Sequence, residues 1–224
     1  MEQYRHELKY EINAADAAEI RQRLRCIAAT DPHAKNGRYK IRSLYFDTPT
    51  NRALYEKLDG VNRREKFRIR YYNGDLSRIC LEKKSKYCNL SAKRSEVITK
   101  EQARAFAAGE FLRMPDMGHP LAAELYRKMK TQQLRAKTIV DYIREPYIYG
   151  PGNVRVTLDY DIRTGMTGTD FLRPDCVTVP AGEGRIVLEV KWDAFLPDII
   201  RAAVQLKGRG CTAFSKYAAC RIYG

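Results

Sequence analysis

The chain has 224 residues, 44% of them hydrophobic and 30% charged, and 41 Lys+Arg against 27 Asp+Glu leave a net charge of +14. That length and apolar content suffice for a sizeable core, and no run approaches the roughly 20 apolar residues of a membrane-spanning helix. A balance this basic favours polyanionic partners (nucleic acid, an anionic membrane surface or phosphate-rich small molecules) without choosing among them.

The N-terminal M-E-Q-Y-R-H-E-L-K-Y is charged and lacks the apolar segment of a secretory signal, so the expected location is cytoplasmic. Arg5 to Ile12 then alternates as a strand, with Arg5, Glu7, Lys9 and Glu11 on one face and His6, Leu8, Tyr10 and Ile12 on the other. Asn13 is a good N-cap for an Ala-rich amphipathic helix running to about Ala28, and Asp31-Pro32 and Asn36-Gly37 signal turns. Tyr39 to Asp47 reads as a second strand, ended by Thr48-Pro49, before a short helix over Asn51 to Leu58 that stops near Gly60.

Arg64 to Tyr72, R-E-K-F-R-I-R-Y-Y, is the most informative stretch. Period-two alternation puts Lys66, Arg68 and Arg70 on one face and Phe67, Ile69 and Tyr71 on the other. Three like charges at ~7 Å spacing repel, so that face is either solvated or meets an anion. Asn73-Gly74-Asp75 is a strong hairpin signal, and the second arm, Ser77 to Lys86, gathers Glu82, Lys84 and Lys86 on one face. A further basic strand near Ala92 to Ile98 carries Lys93 and Ser95 together.

Thr99 and Gln102 form a capping box for a helix to about Gly109; a Pro/Gly-rich break at Met114 to Pro120 precedes a helix over Pro120 to Leu134. Three more strands are expected: Thr138 to Glu145 with Arg144, Asn153 to Asp161 with Arg155, Thr157, Asp159 and Asp161 on one face, and Arg185 to Trp192 with Val187, Glu189 and Lys191 together. Two helices, Asp198 to Leu206 and Ser215 to Arg221, close the chain. No repeat or flexible linker divides it, so residues 1–224 read as one α+β domain of about eight antiparallel strands. The six scattered cysteines, none in C-x-x-C spacing, are expected to be reduced, buried thiols. No P-loop, dinucleotide-binding glycine fingerprint or Ser-His-Asp arrangement is present.

If helices cover the apolar strand faces, the charged faces look either outward to water or inward to a shared lumen. An eight-stranded barrel has a lumen that side chains fill or that holds one small ligand. Lined by unpaired cations and carboxylates and kept dry, such a lumen would be strongly unfavourable. A wet tunnel holding a polyphosphate and a divalent metal resolves the conflict, with cations on phosphate oxygens and carboxylates on the metal.

The ordered set E-L-K-Y (7–10), S-L-Y-F-D-T (43–48), L-Y-E-K-L-D-G (54–60), R-E-K-F-R-I-R-Y-Y (64–72), L-E-K-K-S-K (81–86), V-R-V-T-L-D (154–159), L-E-V-K (188–191) and S-K-Y (215–217) resembles the polyphosphate polymerase domain of the vacuolar transporter chaperone (VTC) family, a branch of the triphosphate tunnel metalloenzymes that include the CYTH proteins. The resemblance implies an eight-stranded antiparallel β-barrel tunnel with helices packed outside. It implies phosphate ligands at Lys9, Arg68, Arg70, Lys84, Lys93, Arg144 and Arg155, with Ser215 and Lys216 completing one end of the phosphate path. It also implies a Mn²⁺ or Mg²⁺ ligand at Glu189. Lys66 and Lys191 join that set on the facing argument. The CYTH signature E-x-E-x-K stands here as R-x-E-x-K, with Arg5 in place of the first glutamate, which disfavours the adenylate cyclase and thiamine-triphosphatase roles.

The activity so implied is transfer of the ATP γ-phosphate to a growing polyphosphate chain. Its partners are ATP and inorganic polyphosphate rather than nucleic acid, and any membrane partner is unreadable. A tripolyphosphate or short-polyphosphate hydrolase of the same fold is the alternative, because water can replace the acceptor. From another class comes a non-catalytic RNA-binding protein, which should instead carry cations on one outer patch with exposed stacking aromatics. Two residues also have structural readings: Glu189 as the ion-pair partner of Lys191 or an arginine, and Ser215 as the N-cap of the last helix.

Overall fold

The structure is a computed structural model and describes residues 4–88, 90–110 and 118–221. In chain order it runs through strand β1 (His6–Ile12), helix α1 (Ala14–Ile27), β2 (Ala29–Thr30), β3 (Tyr39–Asp47), α2 (Arg52–Leu58), β4 (Arg63–Tyr72), β5 (Asp75–Tyr87) and β6 (Leu90–Ile98). It continues with α3 (Lys100–Ala108), α4 (Pro120–Thr131), β7 (Arg135–Tyr149), β8 (Val154–Thr164), β9 (Val179–Pro180), β10 (Ile186–Trp192), α5 (Asp198–Val204) and α6 (Lys216–Cys220). Eight strands form one antiparallel wall in the order β1-β10-β8-β7-β3-β4-β5-β6, with the two-residue strands β2 and β9 attached to β7 and β8. The wall curls until its edges meet at a bridge between Arg5 and Ser91, whose backbone N–H groups each donate to the other's carbonyl at 3.0 and 3.1 Å. The result is the expected barrel-like tunnel, with its edge strands touching at this bridge rather than along a continuous ladder.

Alternation along each strand decides what covers the wall. Outward Leu44, Phe46, Phe67, Ile69, Leu81 and Ile98 pack under α3 and α4, which contribute Phe106, Leu121, Leu125 and Met129. Outward Val154, Val156, Leu158, Leu188 and Val190 pack under α1 and α5 through Ile20, Leu24, Ile200 and Val204. A third cluster is internal: Tyr39, Ile41, Tyr45, Val140, Tyr142 and Val187 meet Tyr217 and Cys220 of α6, so the last helix plugs part of the bore. The caps read from sequence are formed, Asn13 with Asp16 at α1 and Thr99 with Gln102 at α3. The Asn73-Gly74 turn has φ of +53° and +75°, the left-handed pair that a tight hairpin requires and that Asn-Gly adopts cheaply. Buried Asp47 ties α2 and α6 to the end of β3: its carboxylate accepts from the Ala53 and Leu54 amides and from the Tyr217 hydroxyl at 2.7 Å.

Some expectations need correction. The strand at Thr138 to Glu145 extends on both sides to fifteen residues and passes through Pro146, beside which β2 pairs. Helix α4 stops at Thr131 rather than near Leu134, and α5 at Val204 rather than Leu206. Asp161 leaves the charged face of β8: it has φ of +47° at a bulge against β7 and is exposed, because the extra residue breaks the period-two pattern. All six cysteines are free, but Cys26, Cys88 and Cys211 are exposed rather than buried. Most of the break expected at Met114 to Pro120 falls outside the described residues. Among the described residues no helix is long and apolar enough to cross a membrane.

Candidate active site

The inward faces enclose a cavity of about 470 Å³. Fourteen lysine and arginine side chains line it against three carboxylates, Glu7, Glu65 and Glu189. All twelve residues singled out in the sequence reach it. Lys9, Lys191 and Glu189 come from β1 and β10, Arg144 and Arg155 from β7 and β8, Lys66, Arg68 and Arg70 from β4, Lys84 and Lys93 from β5 and β6, and Ser215 and Lys216 from the start of α6. Register brings like charges side by side: Lys66 faces Lys84, and Lys84 faces Lys93, across three neighbouring strands.

Two buried carboxylates behind the surface organise the cations. Glu82, 2% exposed, accepts from Arg68 Nε at 2.7 Å and Lys93 Nζ at 3.2 Å and lies 3.6 Å from Arg70. Asp159, 0% exposed, takes both arms of Arg144 at 2.6 and 2.7 Å and the Lys216 ammonium at 2.5 Å. Burial pushes the Asp159 carboxyl up, but Arg144 and Lys216 outweigh it and hold the group at about 2. Ser215 does cap α6, accepting from the Ala218 amide, and its hydroxyl also lies 3.4 Å from Lys66 Nζ.

Reading the strands for charge alone misses the tyrosines. Tyr39, Tyr45, Tyr72, Tyr142 and Tyr217 line the cavity rather than sitting in the core or at the rim alone. Arg68 lies over Tyr45 (5.7 Å), Arg70 over Tyr72 (5.8 Å), Arg144 over Tyr142 (5.5 Å), Lys216 over Tyr142 (4.8 Å) and Lys66 over Tyr217 (5.0 Å). Electron-rich ring faces steady buried cations without neutralising them. The signal is present in the pattern: Tyr72 continues the 66-68-70 alternation, and Tyr142 precedes Arg144 by two.

On the opposite wall, Lys9 bridges Glu7 at 3.0 Å and Glu189 at 3.4 Å. Three buried polar atoms here lack a hydrogen-bond partner: Arg155 Nε, Thr157 Oγ1 and Glu189 Oε1, with Thr157 directly opposite Glu189 in register. The Lys191 ammonium lies against Glu189 without hydrogen-bond geometry. Burial opposes ionisation of Glu189, but Lys191, Lys9 and Arg144 hold it well below the ordinary carboxylate range. Among the described residues no group of three or more His, Cys, Asp or Glu could hold a metal. The donors therefore do not fit an all-protein cage. They fit an ion taking one or two carboxylates, with phosphate and water completing the shell, as Mg²⁺ usually does. Arg5 lines the cavity too, but its guanidinium is engaged by Asp193, to which Nε donates at 2.6 Å, and by the Asn153 carbonyl.

The cations outnumber their counter-ions, and two lysines carry the strain. Burial and Lys57 push Lys66 down to about 7. Burial also pushes Lys84 down to about 7, with Lys9 and Lys191 adding to the effect against Glu7. Unfolded lysines keep their protons to about pH 10.4, so between about pH 7 and pH 10 the unfolded chain binds more protons than the native one and stability rises with pH. The thermal midpoint of the ligand-free protein should climb across that window, and tripolyphosphate, by keeping both lysines charged, should flatten the climb. A midpoint that falls with pH in the absence of ligand contradicts the assignment.

A cation-lined bore inside a curled eight-stranded antiparallel wall defines the triphosphate tunnel class. The structure resembles a candidate adenylate cyclase of Bacillus halodurans (14% identity, TM-score 0.52, covering 85% of this chain and 81% of that one). It also resembles a candidate adenylyl cyclase from Hippeastrum that is described as having a dominant triphosphatase activity (15% identity, TM-score 0.53, covering 98% and 95%). No curated protein matches by sequence. The VTC domain matches residues 4–222, and the chain belongs to that family.

Proposed function

We propose that the protein is a metal-dependent polyphosphate polymerase that moves the γ-phosphate of ATP onto a polyphosphate chain held in the tunnel. The observation that carries this reading is the excess of cations inside one cavity. Fourteen line it against seven carboxylates, three in the lining and four (Glu82, Asp159, Asp31 and Asp193) pairing with the cations from behind, and an ordinary protein interior does not keep unbalanced charge. Membership of the VTC family supports it. Arg68, Arg70, Arg144 and Lys216, held from behind by Glu82 and Asp159, are rigid donors for equatorial and bridging oxygens. Lys9, Lys66, Lys84, Lys93, Arg155 and Lys191 line the remaining path and keep two polyanions in register for in-line attack.

A terminal phosphate oxygen of the chain attacks the γ-phosphorus, the bond to the β-bridging oxygen breaks, and ADP leaves with that electron pair. No protein nucleophile and no proton transfer are needed. Mn²⁺ or Mg²⁺ at Glu189 would supply charge neutralisation between attacking and leaving oxygens.

Incubation with ATP and Mn²⁺ should yield ADP and an acid-labile polymer. Release of free phosphate alone, from ATP or tripolyphosphate, would instead favour the hydrolase reading. The described activity of the Hippeastrum protein of the same fold keeps that reading in view. Binding of single-stranded RNA with no affinity for tripolyphosphate would overturn both.

A further inference from the structure

The two ends of the cavity differ. Arg64 and Tyr72 both line it and lie eight residues apart on β4, a span of about 26 Å. At the Tyr72 end the cations have counter-ions: Arg155 pairs with Asp31 at 2.9 Å, and Tyr39 and Tyr72 pack edge to face at 5.7 Å. At the Arg64 end, Lys57 of α2, Arg64 of β4 and Lys86 of β5 come together half-buried, with no ion-pair partner among the described residues. Arg64 and Lys86 are register partners, so their Cβ atoms lie about 5 Å apart. Arg64 spends one arm on the Val61 carbonyl. Burial and Arg64 push both Lys57 and Lys86 below the ordinary lysine range, which marks three cations sharing one field. A second cavity of about 610 Å³, bordered by residues of α2 and α4, is lined by Arg64, Glu65 and Lys86 as well, so these side chains stand between the two spaces.

Resting on the function proposed above, we infer that a polyphosphate chain too long for the tunnel leaves it across Lys57, Arg64 and Lys86, and that these three residues set the preference for long chains. A short ligand sits among the deeper cations and does not touch them.

The test compares the unaltered protein with a Lys57→Gln/Arg64→Gln/Lys86→Gln variant, binding tripolyphosphate and a long-chain polyphosphate over a range of salt. Removing mutual repulsion should leave the thermal midpoint equal or higher. The variant should lose long-chain affinity on the order of tenfold at low salt, and its log K against log salt slope should shallow by roughly two, at ~0.7 per lost phosphate contact. Its tripolyphosphate binding should be unchanged. Equal loss for both ligands, or no loss for either, overturns the inference and leaves the proposed function intact. Failure of the unaltered protein to bind either ligand overturns both.

Discussion

Arg68→Ala is expected to slow phosphoryl transfer on the order of 10²–10³-fold while the protein stays folded. The guanidinium donates to Glu82 and, at 2.8 Å, to the Tyr45 hydroxyl. Its remaining surface faces the cavity. Removing it does not orphan Glu82, because Lys93 at 3.2 Å and Arg70 at 3.6 Å remain. It also relieves Arg70, whose ionised form the Arg68 charge disfavours. The fold therefore loses two attractions, to Glu82 and to Tyr45, and the repulsion with Arg70, and chemistry loses a fixed donor that water cannot replace without reorganising. Steady-state rates with ATP or tripolyphosphate, beside a thermal melt, separate the two effects. Arg68→Lys keeps the charge but loses the forked contact to Glu82 and Tyr45, so it should recover only part of the rate. Full activity in Arg68→Ala would remove Arg68 from the reacting phosphates.

The tunnel is legible in the residue pattern and its furnishing is not, because alternation reports only which way a strand side chain faces. Period two obliges Lys66, Arg68 and Arg70 to share a side with each other and, once the strands pair, with Lys84 and Lys93. It also requires helices over the apolar partners Phe67, Ile69 and Leu81, which α3 and α4 provide. The same rule fails wherever a residue is inserted, as at Asp161, since one bulge flips the facing of all that follows. It is equally silent on contributions from helices: Lys57 on α2 and Tyr217 on α6 reach the cavity through packing that no strand pattern encodes. The roles of Glu82 and Asp159 are hidden for a different reason. A carboxylate on a basic face reads as a ligand or an ion pair alike, and burial, which only the fold sets, assigns these two to holding cations in place.

Asp159→Ala should destabilise the fold strongly, by about 3–5 kcal/mol. The carboxylate is fully enclosed and neutralises Arg144 and Lys216 together, so its loss leaves two buried cations with Glu189, 3.9 Å from Arg144, as the nearest remaining compensation. Lys216 opens α6, and releasing it loosens the plug that Tyr217 makes against Tyr45, stacked at 5.0 Å. At about 2–4 °C per kcal/mol for a chain of this size, the thermal midpoint should fall by roughly 6–20 °C. Asp159→Asn keeps the shape and part of the hydrogen bonding but not the charge, and should fall between alanine and wild type. The deficit is electrostatic, so a polyanion in the tunnel should restore it: saturating tripolyphosphate should raise the midpoint of Asp159→Ala by more than it raises that of the unaltered protein. Equal shifts in the two proteins would mean that the ligand does not reach Arg144 and Lys216. The phosphate path would then have to run elsewhere along the wall.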